Sequence, residues 1–275
     1  MQLDAYLQRI GYTGDLSPSA AVLEALHLAH ATHIPFENLD ILRGLPIRLD
    51  LESLQRKLVD ARRGGYCFEQ NLLFAAALEA VGFPVTRLAA RVRYRTASVL
   101  PRTHMLMLVN TDGGRWLADV GFGAEGLLLP VPFDSGQESR QFAWTYRVVP
   151  GPKGPGLGHE GPSLPDVPEW VLQSKHAEGW ADMYGFTLEP QLLVDYEVAN
   201  HFTSTHPDSV FRRTLTIQRS ARDGRLILRG DTLTRYKDGQ AIEEAVAPER
   251  VRDVARELFG VELPERLISD TVQNT

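Results

Sequence analysis

Arg62-Arg63-Gly64-Gly65-Tyr66-Cys67-Phe68-Glu69-Gln70-Asn71, residues 62–71, leads from a charged run into an apolar one that continues to Val81. Two adjacent glycines let the backbone turn tightly. The stretch after them, CFEQNLLFAAALEAVGFP, reads as a helix stopped by Gly82 and Pro84. Cys67 therefore opens that helix, where the macrodipole is positive and free N–H groups stabilise a thiolate or an oxyanion. It is the single cysteine of the 275-residue chain, which excludes an intramolecular disulfide and a multi-cysteine zinc site. A lone cysteine is ordinarily a small buried hydrophobe. The glycine turn and the helix start make this one a candidate nucleophile.

Upstream of this stretch the chain reads as helical. Val22, Leu23, Leu26 and Ala29/His30 form a stripe, with Ser17 expected as the cap and Pro18 in the first turn. LDLESLQRKLVDARR places Leu51, Leu54, Leu58 and Val59 on one helical face. From about residue 85 the period changes. VTRLAARVRYR, THMLMLVN, RWLADVGF and FAWTYRVV are short, β-rich and separated by turn residues. The stretch 150–168, crowded with Gly and Pro, reads as an irregular surface loop. WVLQSKHAEGWADMYGFTL is mixed, and YEVANHFTSTHPDSVF reads as a short helix and loop. Strands follow at TLTIQRSA, GRLILRGDTLTRY and QAIEEAVA, and PERVRDVARELFG is expected as a final helix.

Composition limits the function classes. Hydrophobic residues make up 43% and charged ones 23%, as in an ordinary globular protein. A net charge of −6 and the lack of a long basic run argue against a nucleic-acid surface. MQLDAYLQRIGYTGDL has neither a basic start nor a continuous apolar stretch, so it does not read as a signal peptide. No apolar run reaches the roughly 20 residues of a membrane span. The expected location is the cytoplasm.

His104 and Asp119 flank Asn110-Thr111-Asp112-Gly113-Gly114, a hairpin signal. A two-residue turn at Asp112-Gly113 makes Thr111 face Gly114, and His104 and Asp119 become diagonal neighbours on one face. Such pairs lie about 7–8 Å apart at the backbone, within reach of a His–Asp hydrogen bond. A four-residue loop with the same centre keeps this register, whereas an odd-length loop separates the two faces. Between apolar strands, two polar groups are costly unless they satisfy each other. The carboxylate would orient the imidazole and leave its other nitrogen for Cys67. The helix start and an adjacent imidazolium are expected to favour a thiolate, and Asp119 to favour the charged imidazole.

Ile34-Pro35-Phe36-Glu37-Asn38-Leu39, Arg63-Gly64-Gly65-Tyr66-Cys67-Phe68-Glu69-Gln70-Asn71, Thr103-His104-Met105 and Asp119-Val120-Gly121-Phe122-Gly123 resemble, in order, the motifs of the arylamine N-acetyltransferases of prokaryotic type. The similarity runs over essentially the whole chain. The resemblance implies an α+β, cysteine-protease-like fold in three parts: an N-terminal helical bundle (1–84), a central antiparallel β-barrel (85–194) and a C-terminal α/β lid (195–275). It implies Cys67 as nucleophile, His104 as general base and acid, and Asp119 as its orienter. The implied reaction is ping-pong transfer of acetyl from acetyl-CoA through acetyl-Cys67 to an arylamine, arylhydrazine or arylhydroxylamine.

Further roles are expected on the same footing. Phe36, Phe68, Phe122 and Phe202 are candidates for the aromatic pocket wall. The segment 200–211 resembles the stretch that meets CoA in the family, which makes Phe202 and Ser209 candidate CoA contacts, and Gly121 of the Asp119–Gly123 motif is a further candidate. Glu37 and Arg63 look like the family's buried acid–base pair and read as structural. The partners expected are a small aromatic amine or hydrazine and acetyl-CoA, without metal, nucleic acid or membrane, for a monomer or homodimer. The remaining histidines offer no convincing ligand set. The competing readings are an amide synthase of natural-product biosynthesis or a hydrolase on the same Cys-His-Asp set. A non-catalytic binding protein on a decayed scaffold is disfavoured by the intact set.

Overall fold

A computed structural model of the chain describes residues 1–133, 136–151, 168–237 and 240–264. The loop expected at 150–168 lies for the most part outside the described residues. The first elements are α1 (Leu3–Ile10), α2 (Ala20–His33), β1 (Phe36–Glu37), α3 (Leu39–Leu42), α4 (Leu51–Leu54) and α5 (Cys67–Val81). α4 runs on through a wide-turned stretch, Gln55–Asp60. The cap of α2 is Ser19, not Ser17: its side chain accepts from the Val22 N–H at 3.3 Å, while the Ser17 carbonyl closes a turn onto the Ser19 N–H. Leu54, Leu58 and Val59 point into the core, as their spacing predicts.

Among the described residues, eight strands follow in one antiparallel sheet: β2 (Val85–Val92), β3 (His104–Thr111), β4 (Gly114–Ala118), β5 (Val131–Pro132), β6 (Ser139–Gln141), β7 (Trp144–Pro150), β8 (Trp170–His176) and β9 (Gly179–Phe186). Their spatial order is β5-β4-β3-β2-β9-β8-β7-β6. The sheet curls until its ends nearly meet, with β5 beside β7. The buried Gln141 of β6 stitches the seam. Its Oε1 accepts the N–H groups of Leu128 and Leu129, each at 2.9 Å, and its Nε2 donates to the Leu129 carbonyl at 2.7 Å. The mixed segment 170–188 is the β8–β9 hairpin. Its alternation is broken by a register shift between Leu172 and Gln173, which hid the strands from a period-2 reading.

Strand β3 anchors two cores at once. Met105, Met107 and Val109 join the helical core with α2 and α5. Leu106 and Leu108 fill the barrel with Leu88, Leu117 and Tyr184. Each fully buried large apolar side chain contributes about 1.5–3 kcal/mol, so the continuous apolar run HMLMLV reflects burial on both faces.

The last part holds α6 (Leu193–Thr205), α7 (Val210–Arg213), β10 (Thr216–Ala221), β11 (Gly224–Arg229), β12 (Thr232–Lys237), β13 (Gln240–Ala245) and α8 (Val251–Val254). The expected short helix is a full one that begins at Leu193. The final helix is broken into a 3₁₀ turn at Pro248–Arg250, α8, and a wide turn at Ala255–Phe259. β1, from the helical part, pairs with β10 at the edge of this second sheet. Asn38 adds a clasp, donating to the carbonyls of Phe211 and Thr214 and accepting the Thr216 N–H. Among the described residues, no helix is long and apolar enough to cross a membrane.

Candidate active site

The turn before Cys67 is held from three sides. The Glu37 N–H donates to the Gly65 carbonyl, and Gln70 Nε2 donates to the carbonyls of Pro35 and Gly65 at 2.9 and 3.2 Å. Gln70 is held in turn by His30, whose Nε2 donates to its Oε1 at 2.8 Å. Gly64 is required by close approach: a Cβ there would lie 2.1 Å from the Pro35 carbonyl oxygen. Neither Gly64 nor Gly65 has a positive φ, so crowding, not left-handed backbone, explains the pair. Glu69 accepts the Tyr66 N–H at 3.1 Å and pairs with Lys57 at 2.7 Å. Burial pushes the Glu69 carboxyl up, against the pull of Lys57. Arg63 meets Glu37 at 2.6 Å and Asp40 at 2.9 Å, so the expected acid–base pair is formed.

The β3–β4 hairpin has the register that a two-residue turn predicts: Thr111 faces Gly114 and Met107 faces Ala118. The ladder stops at Ala118, so Asp119 lies just past the strand expected to reach Phe122. Three successive N–H groups leave the ladder for side chains. Asp119 N–H donates to His27 Nε2 at 3.2 Å, Val120 N–H to Asn71 Oδ1 at 3.0 Å, and Gly121 N–H to Asp119 Oδ1 at 2.9 Å.

His104 Nε2 donates to Asp119 Oδ2 at 2.7 Å, with both side chains buried. That leaves Nδ1 as the ring nitrogen not engaged by Asp119. Cys67 Sγ lies 3.7 Å from the carbonyl of Thr103, the residue before His104, so the thiol and the imidazole share one corner of the fold. Gly121 closes it: a Cβ there would lie 2.8 Å from the Cys67 carbonyl oxygen and 2.9 Å from its Cα. The rings of Phe122 and Tyr184 flank His104 at 5.1 and 5.0 Å.

The electrostatics are divided. Burial opposes charge on Asp119, but His104 and donors from Asn71 and Gly121 hold its carboxyl below the usual carboxylate range. Burial, and then the Asp119 charge, push the Cys67 thiol up, against the pull of the Phe68 and Met105 N–H groups. The helix start favours the thiolate as expected, but desolvation outweighs it. The proton therefore needs a base nearby.

Phe36 and Phe122 line one small pocket with Ala31, Val120, Leu127 and Gln218. Phe68 is fully buried in the helical core against Tyr66 and Tyr196. Phe202 is half exposed on α6 and stacks on His206 at 4.5 Å. In the segment 200–211, the hydroxyls of Thr203, Ser204 and Thr205 donate to carbonyls one turn back, and Ser209 donates to the Thr203 carbonyl. Their protons are thus engaged internally. Asn200 bonds Tyr66 and the Ile47 carbonyl, tying α6 to the turn before Cys67. Residue-type reasoning missed Asn71 and His27. Asn71 had a signal, since it lies one turn beyond Cys67 on the same helical face. His27, nearly a hundred residues from Asp119, had none. Among the described residues, no group of three or more His, Cys, Asp or Glu is placed to hold a metal ion.

Comparison with known proteins agrees across sequence and structure. Residues 19–268 match the N-acetyltransferase family model. The arylamine N-acetyltransferase of Escherichia coli K12 is 38% identical, over 94% of this chain and 88% of that protein. The crystal structure of Nocardia farcinica arylamine N-acetyltransferase superposes with a TM-score of 0.88 at 40% identity, covering 100% of this chain and 94% of that one. The Mycobacterium marinum enzyme in complex with CoA gives 0.87 at 32% identity, covering 98% of each chain. The fold is thus the cysteine-protease-like one of helical bundle, antiparallel barrel and α/β lid. The chain belongs to the arylamine N-acetyltransferase family and is an acyltransferase.

Proposed function

We propose that the protein transfers acetyl from acetyl-CoA to the nitrogen of arylamines, arylhydrazines or arylhydroxylamines by a ping-pong route through acetyl-Cys67. The observation that carries this reading is the His104–Asp119 hydrogen bond of 2.7 Å, next to a cysteine that opens a helix. Cys67 attacks the thioester carbonyl while His104 Nδ1 takes the thiol proton. The tetrahedral intermediate collapses, the C–S bond to CoA breaks, and His104 returns the proton to the leaving thiolate. In the second half, the arylamine nitrogen attacks acetyl-Cys67, His104 takes the amine proton, and Cys67 leaves as the thiol. Asp119 holds the imidazole in the tautomer both halves need. Aromatic amines suit this route because they are largely neutral at pH 7 and attack without prior deprotonation.

Phe36 and Phe122 would form the acceptor wall, with Phe122 packed on the His104 ring. Phe202 and Ser209 would meet CoA from the segment 200–211, whose sequence resembles the family's CoA-contacting stretch, and a related enzyme was solved in complex with CoA. The protein would work in the cytoplasm, where its free thiol stays reduced. The test is incubation with acetyl-CoA alone, read by intact-mass and peptide mass spectrometry. One acetyl group on Cys67, discharged by an added aniline and absent in Cys67→Ser, is the expected result. Acetyl transfer by Cys67→Ala at the normal rate, or release of free acetate with no acyl-enzyme and no amide product, would refute it.

A further inference from the structure

His27 takes no part in the reaction as written, yet both of its ring nitrogens are engaged with the segment that carries Asp119. It lies on α2, fully buried, with its ring edge-on to Phe74 of α5 at 5.6 Å and 88°. Nε2 accepts the Asp119 N–H at 3.2 Å, and Nδ1 donates to the Leu128 carbonyl at 3.0 Å. These two groups bound the stretch between the last ladder residue of β4, Ala118, and the start of β5, Val131.

We propose that His27 is a positioning residue for acyl transfer: it clips the segment Asp119–Leu128 to α2 at both ends, so that the Asp119 carboxylate stays where His104 meets it. The proposal rests on Asp119 acting through His104, as set out above. Only one form of the ring satisfies both bonds, the neutral tautomer protonated at Nδ1. The imidazolium or the other tautomer would aim a proton at the Asp119 N–H and leave that buried donor unpaired. Burial keeps the ring neutral, holding it down at about 4.

The two ends of the clip are differently anchored. At the Asp119 end, the backbone is held by His27 from α2 and the carboxylate by Asn71 from α5. The segment is therefore fixed against both helices. At the Leu128 end, the residue's own N–H is bound by Gln141 at the barrel seam. Between the ends lies Phe122, whose ring packs on His104. A segment freed at either end would let Asp119 and Phe122 drift together, and misplacement by about 1 Å at a reacting centre costs on the order of 100-fold.

Three measurements test this. His27→Phe keeps the ring but removes both bonds, and His27→Gln keeps one acceptor and one donor on a chain of similar reach. His27→Phe should slow Cys67 acetylation at saturating acetyl-CoA by roughly 10- to 100-fold, with KM for acetyl-CoA little changed and the low-field proton resonance of the His104–Asp119 bond shifted or lost. His27→Gln should recover much of the rate and the resonance. A folded His27→Phe with wild-type rate and resonance overturns the proposal. In the wild-type enzyme, ¹⁵N-histidine spectra should show His27 neutral and protonated at Nδ1, and an Nε2-protonated or charged ring overturns it whatever the variants do. Asp119→Asn is measured beside them. If it is slow while His27→Phe is not, His27 alone is refuted; if it is as fast as wild type, the triad reading falls and this proposal with it.

Discussion

The side-chain amide of Asn71 donates to Asp119 Oδ1 at 2.9 Å. Its Nδ2 also reaches the Met105 carbonyl, next to His104, at 2.7 Å, and its Oδ1 takes the Val120 N–H at 3.0 Å. Asn71 shares a helix face with Cys67. One buried side chain therefore ties the helix of Cys67 to the strand of His104 and to the segment of Asp119.

Removing that tie should cost both stability and rate. Asn71→Ala leaves the Met105 carbonyl and the Val120 N–H unpaired in a buried place, at about 1–3 kcal/mol for each orphaned group. Acetylation of Cys67 should slow by roughly 10- to 100-fold. Asn71→Asp should be slower still, because it sets a second carboxylate against Asp119 and cannot donate to Met105. Single-turnover acetylation and urea unfolding check both variants. Equal rates for Asn71→Ala and wild type would show that the amide does not position Asp119.

The reactivity of Cys67 should depend on His104 more than on the helix start. Burial and the Asp119 charge push the thiol up, so a proton acceptor is needed for the thiolate to form at neutral pH. Without the imidazole, each unit of upward shift lowers the thiolate fraction tenfold. Iodoacetamide should therefore alkylate His104→Gln at least about 100-fold more slowly than wild type at pH 7. Equal alkylation rates would sink the assignment of His104 as base.

The hairpin register was legible in the sequence because turn chemistry and side-chain alternation both depend on a few local residues. Asp112-Gly113 set the pairing, and the pairing put His104 and Asp119 on one face. The end of β4 was not legible, since it depends on side chains supplied from elsewhere: His27 from α2 and Asn71 from α5 take N–H groups that a strand would give to its neighbour. Phe68 illustrates the other limit. Its place next to Cys67 suggested a pocket wall, but adjacent helical residues face about 100° apart, and the side chain is buried in the helical core against Tyr66 and Tyr196. In the segment 200–211, α6 places the hydroxyls of Thr203, Ser204 and Thr205 over carbonyls of the preceding turn, an arrangement that the residue types alone do not reveal.

Arg63 should matter to folding before it matters to catalysis. Glu37 is fully buried, and its carboxylate is satisfied by Arg63 on one oxygen and by the Leu39 N–H at 2.7 Å on the other. Arg63→Met leaves that charge without its cation, a loss of roughly 3 kcal/mol. The double variant Arg63→Met/Glu37→Gln, which removes the stranded charge, should recover part of it. Urea midpoints of the two variants decide the matter. A single variant as stable as wild type would show the pair to be dispensable.

Acid should unfold the protein from an unusually high pH, on account of two histidines. Burial holds His27 down at about 4. Burial, together with the nearby Arg9 guanidinium, holds His30 down at about 3, against the pull of its bond to Gln70. Both rings are neutral in the folded protein and bonded as neutral rings. His30 Nδ1 accepts the Tyr6 hydroxyl at 2.8 Å while its Nε2 donates to Gln70. In the unfolded chain each binds a proton at about 6.5. As pH falls through that value, the unfolded state gains protons that the folded state does not take, and stability drops. The loss is about 1.4 kcal/mol per pH unit for each histidine and continues until the folded values are reached. Asp119, held below the usual range, adds a further loss only below the ordinary carboxylate value of about 3.9. The urea midpoint should therefore fall steadily from pH 6.5 to 4.5. His30→Gln, which keeps partners for Tyr6 and Gln70 but cannot be protonated, should remove about half of that slope. A midpoint that stays flat between pH 7 and 5 in the wild-type protein would contradict the neutral, buried state of both rings.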